Sequence, residues 1–468
     1  MTSQQTQYKP TGINWLSSIP QHWKSLKLRS ILKHVSTKNR PNLPLLSITR
    51  ERGIILRDIS SKEENHNYIP DDLSNYKVVS PGQFGINKMK AWQGSYGVSA
   101  HHGIISPAYY TFNLTGVTCD FFHLAIRSKA YIPFFTQASD GVRVGQWDLS
   151  LTRMKEIPFF IPPEEEQRKI VKIINLVNLK LNKFMQKKKR LIELLKEQKQ
   201  AIINQAVFRG LDPNIRLKPS GIEWLGDIPE HWEVRKIGQL CKFNPSKSEA
   251  ASLLHKDGMI RFLAMENITT EGDLINPPLK HISKVDSGFT YFKNGDVVIA
   301  KITPCFENGK GALIANLDST CGFGTTELIV LRPFQAIQGS FLYWISRSSL
   351  FRLIGEKFMV GAAGQKRVPS TFIKGYPIAL PPLDEQNNII NHIQAITDNM
   401  NNCISKITKE IHLIQDYRTR LISDVVTGQI DVRNIEIDDI VEEELIEEAL
   451  EEEQEEESLE LVGAGDDD

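Results

Sequence analysis

Two long stretches of this 468-residue chain place apolar side chains at alternating steps of four and three. The first ladder is Ile170, Ile174, Val177, Leu181, Phe184, Lys188, Leu191, Leu195, Gln198 and Ile202. The second is Ile389, Ile393, Ile396, Met400, Cys403, Ile407, Glu410, Ile414, Tyr417 and Leu421. A mean spacing of about 3.5 residues predicts a coiled-coil seam in each, with every polar break set against an apolar residue in the other ladder's register. Pro162-Pro163 and Pro381-Pro382 stand just before acidic residues at both starts, which suits a first helical turn and its dipole. From there to Val207 or Val426 each helix is roughly 44 residues and about 66 Å long. Two matched ladders in one chain predict an internal antiparallel pair; the alternative is a coiled coil with another chain.

Outside the ladders, residues 24–160 and 233–379 are mixed in pattern and rich in turns. Ser80-Pro81-Gly82-Gln83-Phe84-Gly85-Ile86-Asn87-Lys88 reads as a turn entering a strand, as does Asn294-Gly295-Asp296-Val297-Val298-Ile299-Ala300-Lys301, so the two inserts are expected to share a fold. Both are preceded by one copied segment. Lys9-Pro10-Thr11-Gly12-Ile13-Asn14-Trp15-Leu16 with Ile19-Pro20-Gln21-His22-Trp23 returns 209 residues later as Lys218-Pro219-Ser220-Gly221-Ile222-Glu223-Trp224-Leu225 with Ile228-Pro229-Glu230-His231-Trp232. Ile161-Pro162-Pro163-Glu164-Glu165-Glu166-Gln167 returns 219 residues later as Leu380-Pro381-Pro382-Leu383-Asp384-Glu385-Gln386. A frame that is copied while its inserts diverge presents two different surfaces on one support. The copied Trp15, Trp23, Trp224 and Trp232 are read as packing between frame and insert, with a stacking role as the alternative.

Charge changes the picture because it is segregated. Residues 436–468 hold 18 acidic and no basic residues, which leaves 56 basic against 56 − 18 = 38 acidic residues in positions 1–435. The body therefore carries about +18 and favours a polyanionic partner, while the tail is expected to be solvated and disordered or to compete with that partner for the surface. Cys119, Cys241, Cys305, Cys321 and Cys403 form no Cys-x-x-Cys pair, so neither a disulfide framework nor a zinc knuckle is indicated. The first residues lack an apolar signal segment and no run reaches membrane-spanning length, which predicts a soluble cytoplasmic protein.

The duplicated Gly-Ile-x-Trp-Leu-x-x-Ile-Pro-x-His-Trp segments, the two Pro-Pro-x-x-Glu-Gln helix starts and the ending Val426-Thr427-Gly428-Gln429-Ile430-Asp431 together resemble the specificity subunits of type I restriction-modification systems, over about residues 8–433. The resemblance implies an α+β chain of two mixed α/β target-recognition domains joined by a pseudo-two-fold antiparallel pair of long coiled-coil helices. The expected divisions are 1–160 for the first recognition domain with its copied segment, 161–212 for the first spacer helix, 213–379 for the second domain, 380–433 for the second helix and 434–468 for the tail. It further implies a non-catalytic subunit that binds double-stranded DNA at a bipartite target and assembles with two methylation subunits, and with restriction subunits for cleavage. S-adenosylmethionine, ATP and magnesium would be bound by those partners. A rigid spacer would also make recognition depend on the gap between half-sites. The competing classes are a nuclease or methyltransferase with its own recognition domains, and a coiled-coil scaffold without DNA binding. Asn276-Pro277-Pro278-Leu279 lacks the aromatic of an amino-methyltransferase tetrapeptide and reads as a turn. No Gly-x-x-x-x-Gly-Lys-Ser/Thr loop is present, and Gly309-Lys310-Gly311 and Gly322-Phe323-Gly324 read as turns.

Reading base edges takes bidentate donors and acceptors on loops, and setting register takes cations and hydroxyls on phosphates. In the first insert the candidates are Lys88, Lys90 and Gln93, in a Gly-ended loop whose alternative is a solvated turn with Trp92 in the core. His101, His102 and Tyr109 follow, then Arg143 and Gln146 in a Gly-rich segment near the insert's end. Adjacent histidines on a strand point oppositely, which argues against a metal site there. In the second insert the candidates are Lys301, Thr303, Lys310, Thr325 and Thr326, with Gln365, Lys366 and Arg367 in the matching Gly-rich segment; the alternatives are solvent-facing hydroxyls and a turn back to the helix. Lys187-Lys188-Lys189-Arg190 is either a phosphate contact or a solvated face.

Overall fold

The computed structural model describes residues 7–57, 69–70, 72–141, 147–250, 258–285, 287–317, 321–362 and 364–436. Both ladders are helical, the first long helix running Glu164–Arg209 and the second Leu383–Val426. The chain divides into two compact units, the first running to Lys188 and resuming at Thr408, the second being Lys189–Ile407. Each unit holds one insert and part of each long helix.

In the first unit a copied hairpin, Tyr8–Ile13 with Leu16–Pro20, opens the chain, and Lys24–Lys27 then pairs with Pro158–Ile161 just before the helix. The insert is a four-stranded antiparallel sheet ordered Leu32–Val35, Tyr110–Leu114, Phe84–Ile86, Tyr96–Val98. Over it lies the helix Cys119–Arg127, whose Phe121, Phe122, Ala125 and Ile126 share a core with Phe84 and Phe112. The second unit repeats the plan. Glu233–Lys236 pairs with Pro377–Leu380, and the sheet runs Cys241–Phe243, Leu328–Pro333, Val297–Ala300, Gly311–Leu313, covered by the helix Gly339–Arg347. The shared strand signals fall where the repeat demands, at Phe84–Ile86 and Val297–Ala300, each entered through a left-handed glycine, Gly82 or Gly295. The second unit adds a sheet in which Met259–Leu263 runs parallel to Cys321–Gly324. Gly322-Phe323-Gly324, expected as a turn, is thus strand: a Cβ on Gly322 would sit 2.4 Å from the Phe292 ring, so glycine is there for close packing. Asn276-Pro277-Pro278, expected as a turn, is an irregular connection into Leu279–His281, with Asn276 left-handed and the Pro277 and Pro278 carbonyls accepting from Arg261 and Phe262.

What joins frame to helix is a carboxylate in the first turn. Glu166 is 8% exposed; its Oε1 accepts from the Trp23 indole at 3.0 Å and its Oε2 lies 2.7 Å from His22 Nε2. Glu385 repeats this with Trp232 at 3.0 Å and His231 at 2.7 Å, at 25% exposure. The neighbouring glutamine ties the helix to the insert: Gln167 accepts from Thr118, and Gln386 from the backbone of Gln338, each the residue before a covering helix. Trp23 and Trp232 are fully buried. The end of the other long helix closes the same joint. Gly428, left-handed, leaves no room for a Cβ against Pro20 and Trp23, and left-handed Gly210 abuts Trp232 and Glu385.

The helix segments run antiparallel in each unit. Asn182 meets Arg418 at 3.1 Å and Lys188 meets Glu410 at 2.8 Å in the first; in the second, Lys199 meets Asn401 at 2.9 Å, while Ile203 and Val207 share a core with Ile393 and Ile389. The ladders hold near the helix starts and drift between. Phe184, Leu191 and Tyr417 are 47%, 42% and 58% exposed, whereas Met185 and Ile411 are buried. A helix with 3.6 residues per turn cannot keep a strict 3.5-residue seam without supercoiling, so the buried stripe moves to the next position. The polar breaks also differ from expectation, since Lys188 meets the charged Glu410 rather than an apolar residue. Within Lys187–Arg190, Lys188 and Arg190 are engaged by Glu410 and Glu193.

Glu166→Ala strands a buried indole N–H and should destabilise the first unit by about 1–3 kcal/mol, with Glu166→Gln milder because an amide oxygen still accepts; Glu385→Ala should cost the second unit less, its site being more open. Denaturant unfolding of each variant measures this. His123, on the covering helix Cys119–Arg127, accepts at Nδ1 from the Val98 N–H at 3.1 Å, and burial followed by the nearby Arg127 charge pushes its pKa down to about 4. The unfolded state therefore binds the extra proton between pH 6.5 and about 4, and stability falls as pH falls through that window, by up to about 3 kcal/mol. Unfolding at pH 7 and 4.5 should show a smaller acid loss in His123→Asn, which keeps an acceptor without titrating.

Candidate nucleic-acid interface

Strand register decides which candidates meet. In the first unit Phe84–Ile86 ends where Tyr96–Val98 begins, because Ile86 pairs with Tyr96, and Tyr110 pairs with Ile86 at the same edge. The connection Lys88–Ser95 and Tyr109 therefore lie at one end of the sheet. The chain then runs back along Tyr96–Val98, so His101 and His102 emerge at the other end, where His102 Nδ1 is 3.2 Å from Ser80 Oγ and the His101 N–H donates to Ser99 Oγ at 3.1 Å. The two histidines do not join the cluster. Among the described residues, no three of His, Cys, Asp and Glu group to hold a metal ion.

At the clustered end the Lys88 ammonium donates to Asp148 at 3.0 Å, which raises its pKa. Tyr109 OH accepts from Asn87 Nδ2 at 3.0 Å, and burial raises the phenol. Lys90 is exposed and Gln93 half-buried. Trp92, half-buried, packs its ring 5.2 Å from Trp147, which is half-buried as well. Arg143 and Gln146 lie outside the described residues, as does the tail beyond Glu436. The chain that leads into the helix Leu151–Lys155 closes on the connection: the Leu149 N–H donates to the Lys88 carbonyl at 2.9 Å.

The second unit makes the same closure. The Val368 N–H donates to the Lys301 carbonyl at 2.8 Å, and Lys301 stands 213 residues after Lys88, each four residues past the first residue of its strand. Here the register gathers the candidates together. Ala300 pairs with Leu328 and Ile299 with Gly311, which brings Lys301, Thr303, Lys310 and Thr325 to one end, and Ile302 bridges Arg367. Thr303 Oγ1 donates to the Lys366 carbonyl at 3.2 Å, Lys310 Nζ to the Met265 carbonyl at 3.3 Å, and Thr325 Oγ1 accepts from the Glu327 N–H at 3.3 Å. Thr326 beside them is exposed. Arg367 forms a two-point pair with Glu327 at 2.9 and 3.0 Å, which holds that carboxyl below its usual range, with the Lys301 charge helping. Gln365 and Lys366 are exposed. Most of the cations and hydroxyls thus fix the loop, and Lys90, Gln365 and Lys366 stand outward from it.

Sequence reasoning missed the carboxylates Asp148 and Glu327, which carry no local motif, and a third internal repeat. Ile48-Thr49-Arg50-Glu51 returns 220 residues on as Ile268-Thr269-Thr270-Glu271, and Arg127-Ser128 returns at the same offset as Arg347-Ser348. Both sets border the clustered ends: Arg127 donates to the Tyr96 carbonyl and Arg347 to the Gly309 carbonyl.

Comparison with known proteins agrees with this geometry. Residues 229–413 match the type I restriction modification DNA specificity domain. The chain is 35% identical over 212 residues to the type I restriction enzyme EcoAI specificity subunit of Escherichia coli, covering 45% of this chain and 35% of that protein, so it spans about a third of that relative's length. It is 22% identical over 436 residues to the MjaVIII specificity subunit of Methanocaldococcus jannaschii, covering 89% of this chain and 95% of that protein. Its fold matches, with a TM-score of 0.62 at 15% identity, a chain solved in work on complex assembly and conformational transition of the type I R-M system, over 88% of this chain and 99% of that one. No helix among the described residues is long and apolar enough to cross a membrane. The copied frame, the paired inserts and these matches together make the chain similar to the specificity subunits of type I restriction-modification systems.

Proposed function

We propose that this chain reads a bipartite sequence in double-stranded DNA, one half with each unit, and supplies no catalytic group itself. Two methylation subunits would dock on it, and restriction subunits would join for cleavage. Those partners would bring the S-adenosylmethionine, ATP and magnesium, and the assembly would work in the cytoplasm. The observation that carries this reading is the repeated strand end, where Lys88 and Lys301 occupy one position and are closed by one backbone bond, at 2.9 and 2.8 Å, while the side chains around them differ. A repeated scaffold with unlike donors suits two unlike half-sites. The body's excess of about 18 positive charges over residues 1–435 supports attraction to a polyanion.

Affinity for duplex DNA should fall linearly on a log–log plot against salt. Lys90→Ala or Lys366→Ala should weaken binding and flatten that slope by about 0.9 for each phosphate no longer neutralised. Gln365→Ala should instead alter base preference at one position with little change of slope. Fluorescence anisotropy with the full chain measures all three, and a slope unchanged in both lysine variants would contradict the assignment.

A further inference from the structure

The third repeat places one half-buried guanidinium behind each clustered end. Arg127, the last residue of the helix Cys119–Arg127, donates through Nη1 to the Tyr96 carbonyl at 2.5 Å and through Nη2 to the Arg50 and Glu51 carbonyls at 3.0 and 2.7 Å. Tyr96 is the first residue after the Lys88–Ser95 connection, and Arg50-Glu51 is the tip of the turn between Leu46–Thr49 and Gly53–Leu56. Arg347 ends the matching helix and is 12% exposed; its Nη1 donates to the Gly309 carbonyl at 2.9 Å and to the Thr270 carbonyl. Gly309 lies in the connection from Lys301 to Lys310, and Thr270 is in the turn that matches Arg50-Glu51. Each arginine therefore bolts the base of one connection to one turn, through backbone carbonyls whose positions do not depend on the variable side chains.

The attachment beyond the arginine is not repeated. In the second unit Glu271 of the turn pairs with Lys199 of the long helix at 2.5 Å, and Lys199 also donates to Asn401. In the first, Arg418 and Asn182 stand at the positions matching Lys199 and Asn401 and meet each other, while Glu51 is paired with Arg50 at 3.6 Å and is otherwise open to solvent. The element common to both is the guanidinium. A planar fork can span several carbonyls at once, which a lysine ammonium cannot do in the same geometry.

We propose that Arg127 and Arg347 are positioning residues for sequence reading, each aligning the DNA-facing connection of its own unit and none of the other's. The inference rests on the DNA-reading function proposed above. Base contacts need a loop held to within about half an ångström, so a slackened base should blunt discrimination before it abolishes binding.

The test uses the full chain with its methylation subunits and the target defined by sequencing the methylated sites, with competing duplexes that carry one base change in either half-site. Arg127→Lys should lower the penalty for changes in one half-site by about tenfold and leave the other at its wild-type value; Arg347→Lys should do the reverse. A merely structural loss would lower occupancy without this split. Equal loss in both half-sites, no loss in either, or failure of both variants to fold would overturn the proposal. Should only one variant fold, its half-site split decides. Absence of any base discrimination by the wild-type complex would instead overturn the DNA-reading function on which it stands.

Discussion

A carboxylate in the first turn of each long helix, buried at Glu166 and partly buried at Glu385, holds the rest in register. Glu166 and Glu385 take the indole N–H of the copied tryptophan and face the copied histidine, so the entering hairpin, the start of one helix and the glycine-ended finish of the other meet at one point. The adjacent glutamine extends the joint to the residue before the covering helix of the insert. A charge in that place costs desolvation unless its lone pairs are met, and here they are met by groups that the repeat itself supplies. The orientation of each insert on its helix pair follows from four residues, His, Trp, Glu and Gln, copied together.

That chemistry explains how much was legible in the chain. The helix starts, the helix lengths and the antiparallel pairing follow from the Pro-Pro signals and the ladders. The acids at those starts suit the helix dipole, yet their distinct task, accepting from Trp23 and Trp232, depends on contacts 143 and 153 residues apart that no local pattern encodes. The ladders overstated the seam, since a 3.5-residue spacing is indistinguishable from a 3.6-residue helix over two turns and departs from it over ten. Phe184 and Tyr417 fall on the exposed side for that reason.

The candidate interface was legible to the extent that strand direction could be inferred. Lys88 and Lys301 follow matching strands and do meet the returning chain, at Leu149 and at Val368, whereas His101 and His102 are separated from them by one more pass of a three-residue strand. Their proximity in sequence concealed opposite ends of one sheet. Asp148 and Glu327 escaped notice because single acids in loops carry no signal, although they decide which cations are spent on the loop and which stand outward. The two units thus share a frame and diverge in the ion pairs that shape the loop, which is the physical form a two-part reader would take.

The most direct measurement is site-specific photocrosslinking from the full chain to a duplex containing its target. A photoreactive side chain at position 90 should form adducts in one half-site and one at position 366 in the other, while position 102 should form none. Adducts from position 102 with silence at 90 and 366 would contradict the account, because the opposite end of the sheet would then face the DNA.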